Sequence, residues 1–382
     1  MSKAKNVAKS AVGLALSVFS RKKAIIFESV PDFGDNTYPV FLELVRRGMG
    51  EKYTLIWSCS KDVTLPDAPR GVRYIYPMRK TLKERLRNAY YMANAKCMVS
   101  SNRFLEPWRK NQPAFFLTHG TPIKCTREYY NLPESIAYAL SASPEVAELT
   151  AYQLRTDVAK MFSLGYPRND ILTKSNEPVK QMLKTTCKKV IVWYPTFRQR
   201  SEGVQTGSTH ALPVIHDAAA AAELNEWAKQ KNVLLVLKPH FAQDLSQIKT
   251  QELSNIRFIG DDFFRQHNTT SYGFVAGCDA LITDYSSVYY DYLLCDKPVG
   301  LVWEDVEEYR ENPGFAVDLE EMGKGGVKIY NLTGFKAFLT EVADGIDSCA
   351  QERRKLRDLV NYATDGENAR RVTDFIVEKA KL

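Results

Sequence analysis

What this sequence lacks narrows its chemistry first. It has no Walker-type phosphate loop and no GxGxxG fingerprint, so NTP hydrolysis and dinucleotide redox chemistry have no support. It has no HExxH pair, no Cys/His ligand spacing and no Asp-x-Asp after an apolar run, so neither a metal nor another cofactor is expected. The 7 cysteines are scattered and form no CxxC, which argues against a zinc ribbon or a thioredoxin-like motif and fits a reducing compartment. The apolar stretch AVGLALSVF (11–19) is far too short to span a bilayer, and no small-residue cleavage site follows it. Internal repeats and recognisable nucleic-acid modules are also missing.

What is present is a folded chain's composition, 45% hydrophobic and 25% charged. A length of 382 residues exceeds one ordinary core and suits two domains. The net charge of +7 hides an asymmetry: residues 1–200 hold 33 basic and 16 acidic side chains (+17), residues 201–382 hold 19 and 29 (−10). A basic front half implies an anionic partner there: a phospholipid surface, a phosphorylated substrate or nucleic acid. Residues 1–23 contain Lys3, Lys5, Lys9, Arg21, Lys22 and Lys23 and no acid. This segment reads as an amphipathic helix that either lies on an anionic leaflet or packs on the protein's own core.

Short apolar runs recur: AIIFE (24–28), YTLIWSC (53–59), VRYIYP (72–77), CMVSS (97–101), AFFLTHG (114–120), VIVWYPT (190–196), VLLVLKPH (233–240), IRFIG (256–260), ALITDYSS (280–287) and VGLVW (299–303). Near-continuous apolarity is the pattern of strands buried on both faces of a parallel sheet. Helical patterns alternate with them at 37–48, 81–94, 144–155 and 216–231, and two more fill the C-terminal end. The expectation is an α/β fold with two Rossmann-like domains, 24–182 and 183–350, followed by C-terminal helices over 351–382, and with ligands at the strands' carboxyl ends.

Five polar clusters follow apolar runs. In AFFLTHGTPIK (114–124), His119 ends a strand, Gly120 permits a sharp turn and Lys124 adds positive charge. Such a histidine either takes a proton from an attacking hydroxyl or ties down the turn. LGYPRND (164–170) reads as a turn in which Asp170 caps the next helix and Arg168 is available to an anion. Thr196 and Arg198 suit phosphate oxygens or lie at the surface. Lys238 and His240 close another strand, whereas His210, His216 and His267 read as surface residues. In ALITDYSS, Asp284, Ser286 and Ser287 either open an anion-binding helix N-terminus or form an ordinary N-cap.

The ordered segments HGTPIK, GYPRND, YPTFR (194–198), KPH (238–240) and TDYSSVYYDYLLCDKPV (283–299) resemble the CDP-glycerol:glycerophosphotransferase family, the TagB/TagF-like enzymes of wall teichoic acid and capsule assembly. The resemblance runs from about residue 24 to YATDGENARRVTDFI (362–376), departing at Thr118 and around Pro239 and Phe241. It implies a GT-B-like fold with parallel sheets facing a central cleft, CDP-glycerol or a related CDP-polyol as donor, and a lipid-linked saccharide or poly(polyol phosphate) as acceptor. By motif match, His119 takes the place of the catalytic base and His240 that of a second active-site histidine. Asp284, Ser286, Ser287, Thr196 and Arg198 take the donor-binding positions. The expected enzyme is a peripheral protein at the cytoplasmic face of the membrane. A nucleotide-sugar transferase of the GT-B class and a CDP-ribitol enzyme are the rival enzymatic readings. A non-enzymatic anion-binding protein is the rival from another class, and no nucleic-acid partner is expected.

Overall fold

A computed structural model describes residues 23–59, 72–77, 81–174, 177–196, 212–239, 245–246, 248 and 252–382. The N-terminal segment 1–22, Arg198, the polar loop 199–210, His210 and His240 lie outside the described residues.

Each apolar run named above contains a strand. The first seven strands are β1 (Ala24–Glu28), β2 (Thr54–Ser58), β3 (Arg73–Ile75), β4 (Ala95–Ser100), β5 (Ala114–Phe116), β6 (Tyr138–Ser141) and β7 (Met161–Ser163). They pair all-parallel in the order β3-β2-β1-β4-β5-β6-β7. The second sheet holds β8 (Lys189–Trp193), β9 (Val233–Leu237), β10 (Ile256–Phe258), β11 (Ala280–Thr283), β12 (Val299–Val302) and β13 (Val327–Ile329). Its order is β10-β9-β8-β11-β12-β13, again all-parallel.

Burial on both faces explains the unbroken apolar runs. In the first sheet Ile26, Ile56, Met98 and Phe116 lie in one core, while Phe27 and Trp57 turn the other way onto Phe41 of helix Thr37–Arg46. In the second, Ile191, Leu235 and Ile282 pack with Leu224, Phe335 and Leu339 from helices Ala218–Gln230 and Leu332–Asp344. The helices begin where their caps dictate: the side chains of Thr81, Asp217 and Asn331 each accept the backbone N–H of the residue three positions on.

The chain forms two compact units, residues 1–120, 129–170 and 365–382, and residues 121–128 and 171–364. The division therefore falls at residue 170 rather than 182, and the two C-terminal helices part company. Helix Ala350–Val360 stays with the second unit; helix Asn368–Ala380 returns to the first, where Phe375 stacks on Phe162 at 4.3 Å.

Each strand order reverses once. In the first sheet the chain runs outward from β1 to β3, then restarts on the other edge of β1 with β4. In the second it runs from β8 to β10 and restarts with β11 beside β8. The carboxyl ends of β1/β4 and β8/β11 are thus the topological switch points, where doubly wound sheets bind ligands.

Candidate active site

Beside the first switch point, β5, which pairs with β4, hands the chain to a strained turn. Leu117 N–H still donates to the Ser100 carbonyl at 2.7 Å, but Thr118 adopts φ 50° and Gly120 φ 144°. A β-branched residue in the left-handed region carries strain of about 1–3 kcal/mol. The Thr118 hydroxyl offsets part of it by donating to the Leu140 carbonyl at 3.0 Å. His119, the next residue, keeps solvent-accessible surface although protein atoms crowd around its ring.

Four neighbours set the state of His119. The Tyr130 hydroxyl and His119 Nε2 share a hydrogen bond of 3.1 Å. Protein crowding around the ring strips its hydration and lowers the imidazole pKa below its ordinary value; Asp35 opposes this, Arg168 lowers it further, and a hydrogen bond to the Ser101 backbone raises it. The net depression keeps the ring neutral near pH 7, the form that can accept a proton.

The GYPRND segment belongs to this cluster. Arg168 Nη1 pairs with Asp35 Oδ1 at 2.7 Å, with both side chains largely buried, so the arginine is committed to a carboxylate. Asp170 is the first residue of helix Asp170–Lys174. Its carboxylate accepts the N–H groups of Asn368 at 2.8 Å and Ala369 at 2.9 Å and so caps the last helix of the chain. Sequence spacing gave no hint of a cap reaching across 198 residues. Lys124 lies in the short stretch assigned to the second unit, where it bridges Phe315.

The second switch point is built around Asp284, which is fully buried. Its Oδ1 accepts the Thr196 hydroxyl at 2.5 Å and the Tyr285 N–H at 2.7 Å, and its Oδ2 accepts the Thr196 N–H at 2.9 Å. The two strand ends are further laced by Thr283 Oγ1 donating to the Tyr194 carbonyl at 2.8 Å. Asp284 is therefore the clasp that fixes the β8 and β11 loops, and Thr196 is its partner. Ser286 and Ser287 follow, both half-buried. The helix behind them is short, Val288–Tyr292 with a 3-10 turn over Leu293–Cys295, so its dipole is weaker than a long helix would supply. Ser287 caps it through no side-chain hydrogen bond, which removes the ordinary N-cap explanation of that hydroxyl.

Of the other sequence candidates, Lys238 pairs with Asp261 at 3.1 Å. His216 is tied to Glu304 at 2.8 Å, and His267 to the Phe263 carbonyl at 2.9 Å, so neither is a free surface ring. Among the described residues no group of three or more His, Cys, Asp or Glu is arranged to hold a metal ion. Sequence reading missed Asp35, Asn36, Ser101 and Tyr130. The available signal was the Gly34-Asp35-Asn36 turn after β1, because β1 is the strand at which the order reverses.

Two doubly wound parallel sheets, each with polar side chains gathered at its switch point, define the GT-B class of fold. Within that class the chain matches the family described as CDP-Glycerol:Poly(glycerophosphate) glycerophosphotransferase over residues 10–378, and it belongs to that family. The teichoic acid poly(glycerol phosphate) polymerase of Bacillus spizizenii is 28% identical over 335 residues, 80% of this chain and 80% of that protein. The teichoic acid glycerol-phosphate transferase of Staphylococcus aureus is 24% identical over 395 residues, 94% of each. Among solved structures, the wall teichoic acid polymerase TagF, carrying a His-to-Asn substitution and soaked with CDPG, matches with a TM-score of 0.72 at 18% identity, covering 99% of this chain and 96% of that one. UDP-GlcNAc 2-epimerase of Neisseria meningitidis matches with a TM-score of 0.53 at 11% identity, covering 93% and 99%. At these identities the two structures speak to the fold alone. Family membership makes the chain a glycerophosphotransferase that uses CDP-glycerol.

Proposed function

We propose that the chain transfers glycerol phosphate to a hydroxyl of a lipid-linked saccharide or a growing poly(glycerol phosphate) in teichoic acid synthesis, with His119 as general base. His119 removes the acceptor proton; the resulting oxygen attacks the glycerol-bearing phosphorus, and CMP leaves with the bond's electron pair. Phosphoryl transfer of this kind depends mainly on positioning and charge neutralisation. The second unit supplies the donor site: Asp284 and Thr196 hold the loops, and the hydroxyls of Ser286 and Ser287 meet the diphosphate. Arg198 and His240 are assigned by motif to the same work.

The single observation that carries the base assignment is a solvent-accessible imidazole beside the β1/β4 switch point whose pKa is held below its ordinary value. The test is CMP release from CDP-glycerol with a lipid-linked acceptor. His119→Ala should lower turnover by about a hundredfold or more while the protein melts normally. Unchanged turnover would remove His119 from the mechanism.

The acceptor's lipid anchor places the enzyme at the anionic cytoplasmic leaflet. Among the described residues no helix is long and apolar enough to cross a membrane. Support for surface attachment comes from helix Leu82–Asn94, where Leu82 and Leu86 are 71% and 62% exposed beside Lys83 and Arg85.

A further inference from the structure

Thr118 has a backbone conformation that a β-branched residue avoids, and the next residue is the proposed base. Such a turn persists only where its surroundings over-determine it. Beside the Thr118 hydroxyl and the Leu117 N–H, one further side chain holds the turn's carbonyls. Asn36, fully buried, lies in the turn between β1 and helix Thr37–Arg46. Its Nδ2 donates to the carbonyls of both Leu117 and Thr118, each at 3.1 Å. Its Oδ1 accepts the backbone N–H of Arg168 at 3.2 Å. One carboxamide thus joins two loops remote in sequence, one 81 and 82 residues further along the chain and the other 132 residues further along. Its position is itself fixed, because Asn36 N–H donates to Asp35 Oδ1 at 2.8 Å, and Thr37 next to it bonds to Ser101 through both its N–H and its hydroxyl.

We infer that Asn36 is a positioning residue for the transfer reaction, holding the Thr118–His119 turn in its reactive geometry and joining it to the Arg168–Asp35 pair that faces the imidazole. The inference rests on His119 being the base. It also gives the GYPRND segment a purpose: this segment supplies the N–H that orients the carboxamide and the guanidinium that faces His119. Both carboxamide ends are used, so no other residue of similar size replaces it. Serine and alanine lack the reach to both loops, and aspartate would set an oxygen against two carbonyl oxygens. A displacement of the base by about an ångström costs on the order of a hundredfold in rate. The donor site is built on other elements and should not feel the change.

The experiment is a double-mutant cycle in turnover, read with enzyme in excess so that slow variants remain measurable. Asn36→Ala should lower kcat about a hundredfold with the KM for CDP-glycerol within roughly twofold of the parent. In a His119→Ala background the same substitution should cause no further loss, because a residue that acts through His119 has nothing left to position. A merely structural role predicts the opposite: a loss that multiplies in both backgrounds, or a KM that rises with it. Either result, or a kcat within about threefold of the parent, overturns the inference. If Asn36→Ala gives no cooperative melt, Asn36→Asp carries the same test, since it keeps the shape and the acceptor for Arg168 but loses both donations. Failure of the base assignment has a separate signature: it appears in His119→Ala alone.

Discussion

A histidine serves as a base only while it is unprotonated, so the environment of His119 makes a pH prediction. Its pKa lies below the ordinary 6.5, mainly through lost hydration. The acid limb of kcat/KM should therefore fall below pH 6.5, where an unperturbed histidine would already be half protonated. The charged neighbours act in opposite directions. Asp35 raises the pKa, so Asp35→Asn should move the limb to lower pH. Arg168 lowers it and also masks Asp35, so Arg168→Gln should move the limb upward. Tyr130, whose hydroxyl meets Nε2, is itself held as a phenol by burial and contributes no charge near neutrality. A pH profile that is the same in all three proteins would mean that the titrating group is not His119. The sign for stability follows from linkage. As the pH drops through the ordinary pKa towards the lowered one, the unfolded chain takes the proton first, so the folded state loses stability over that interval.

At the scale of elements, the last helix shows how a distant segment completes a local structure. Helix Asn368–Ala380 begins on the Asp170 carboxylate and buries Val372 and Ile376 in the first unit. Nearby, Asn368 Nδ2 donates to the Tyr166 carbonyl at 3.2 Å and lies directly over Gly165. Asp170→Ala removes the cap and should destabilise the protein by about 1–2 kcal/mol, seen as a lower Tm. Gly165→Ala should be worse. Its φ is +79°, and an added Cβ would lie 2.2 Å from Asn368 Oδ1. A Gly165→Ala protein that melts with the parent would show that the close approach is not required. Neither residue is among the groups that act on the imidazole, so turnover per folded molecule should stay near the parent's. The same scale explains which elements were readable in advance. The long runs at β1, β8, β9 and β11 announce themselves because strands buried on both faces need apolar residues at every position. β6, β7 and β13 escape a sequence reading because no apolar run extends beyond their three or four residues as it does around the equally short β3, β5, β10 and β11, so they emerge only once neighbours pair with them.

At the scale of the whole molecule, the charge asymmetry makes a prediction about membranes. The first 200 residues carry +17 and the rest −10, and basic residues near an anionic leaflet are worth about 1 kcal/mol each. The chain should sediment with vesicles rich in phosphatidylglycerol and release as salt rises, but not bind neutral phosphatidylcholine vesicles. Leu82→Ser with Leu86→Ser should weaken this binding several-fold without altering the melt, because both side chains are exposed. Binding insensitive to salt and to both serines would remove the proposed attachment surface.

The sequence by itself determined the fold class, since apolar runs alternating with helical patterns leave few architectures other than paired doubly wound sheets. It also marked His119, Thr196 and Asp284, because polar residues that end an apolar strand stand out from it. Tertiary structure alone decided their working partners. Asp35 and Asn36 meet His119's turn, and Asp284 clasps Thr196, only because the strand order reverses at β1/β4 and β8/β11. Hydrogen bonds between loops 81 or 88 residues apart leave no period in the chain. They depend on which strands become neighbours, and that is settled only when the sheets assemble.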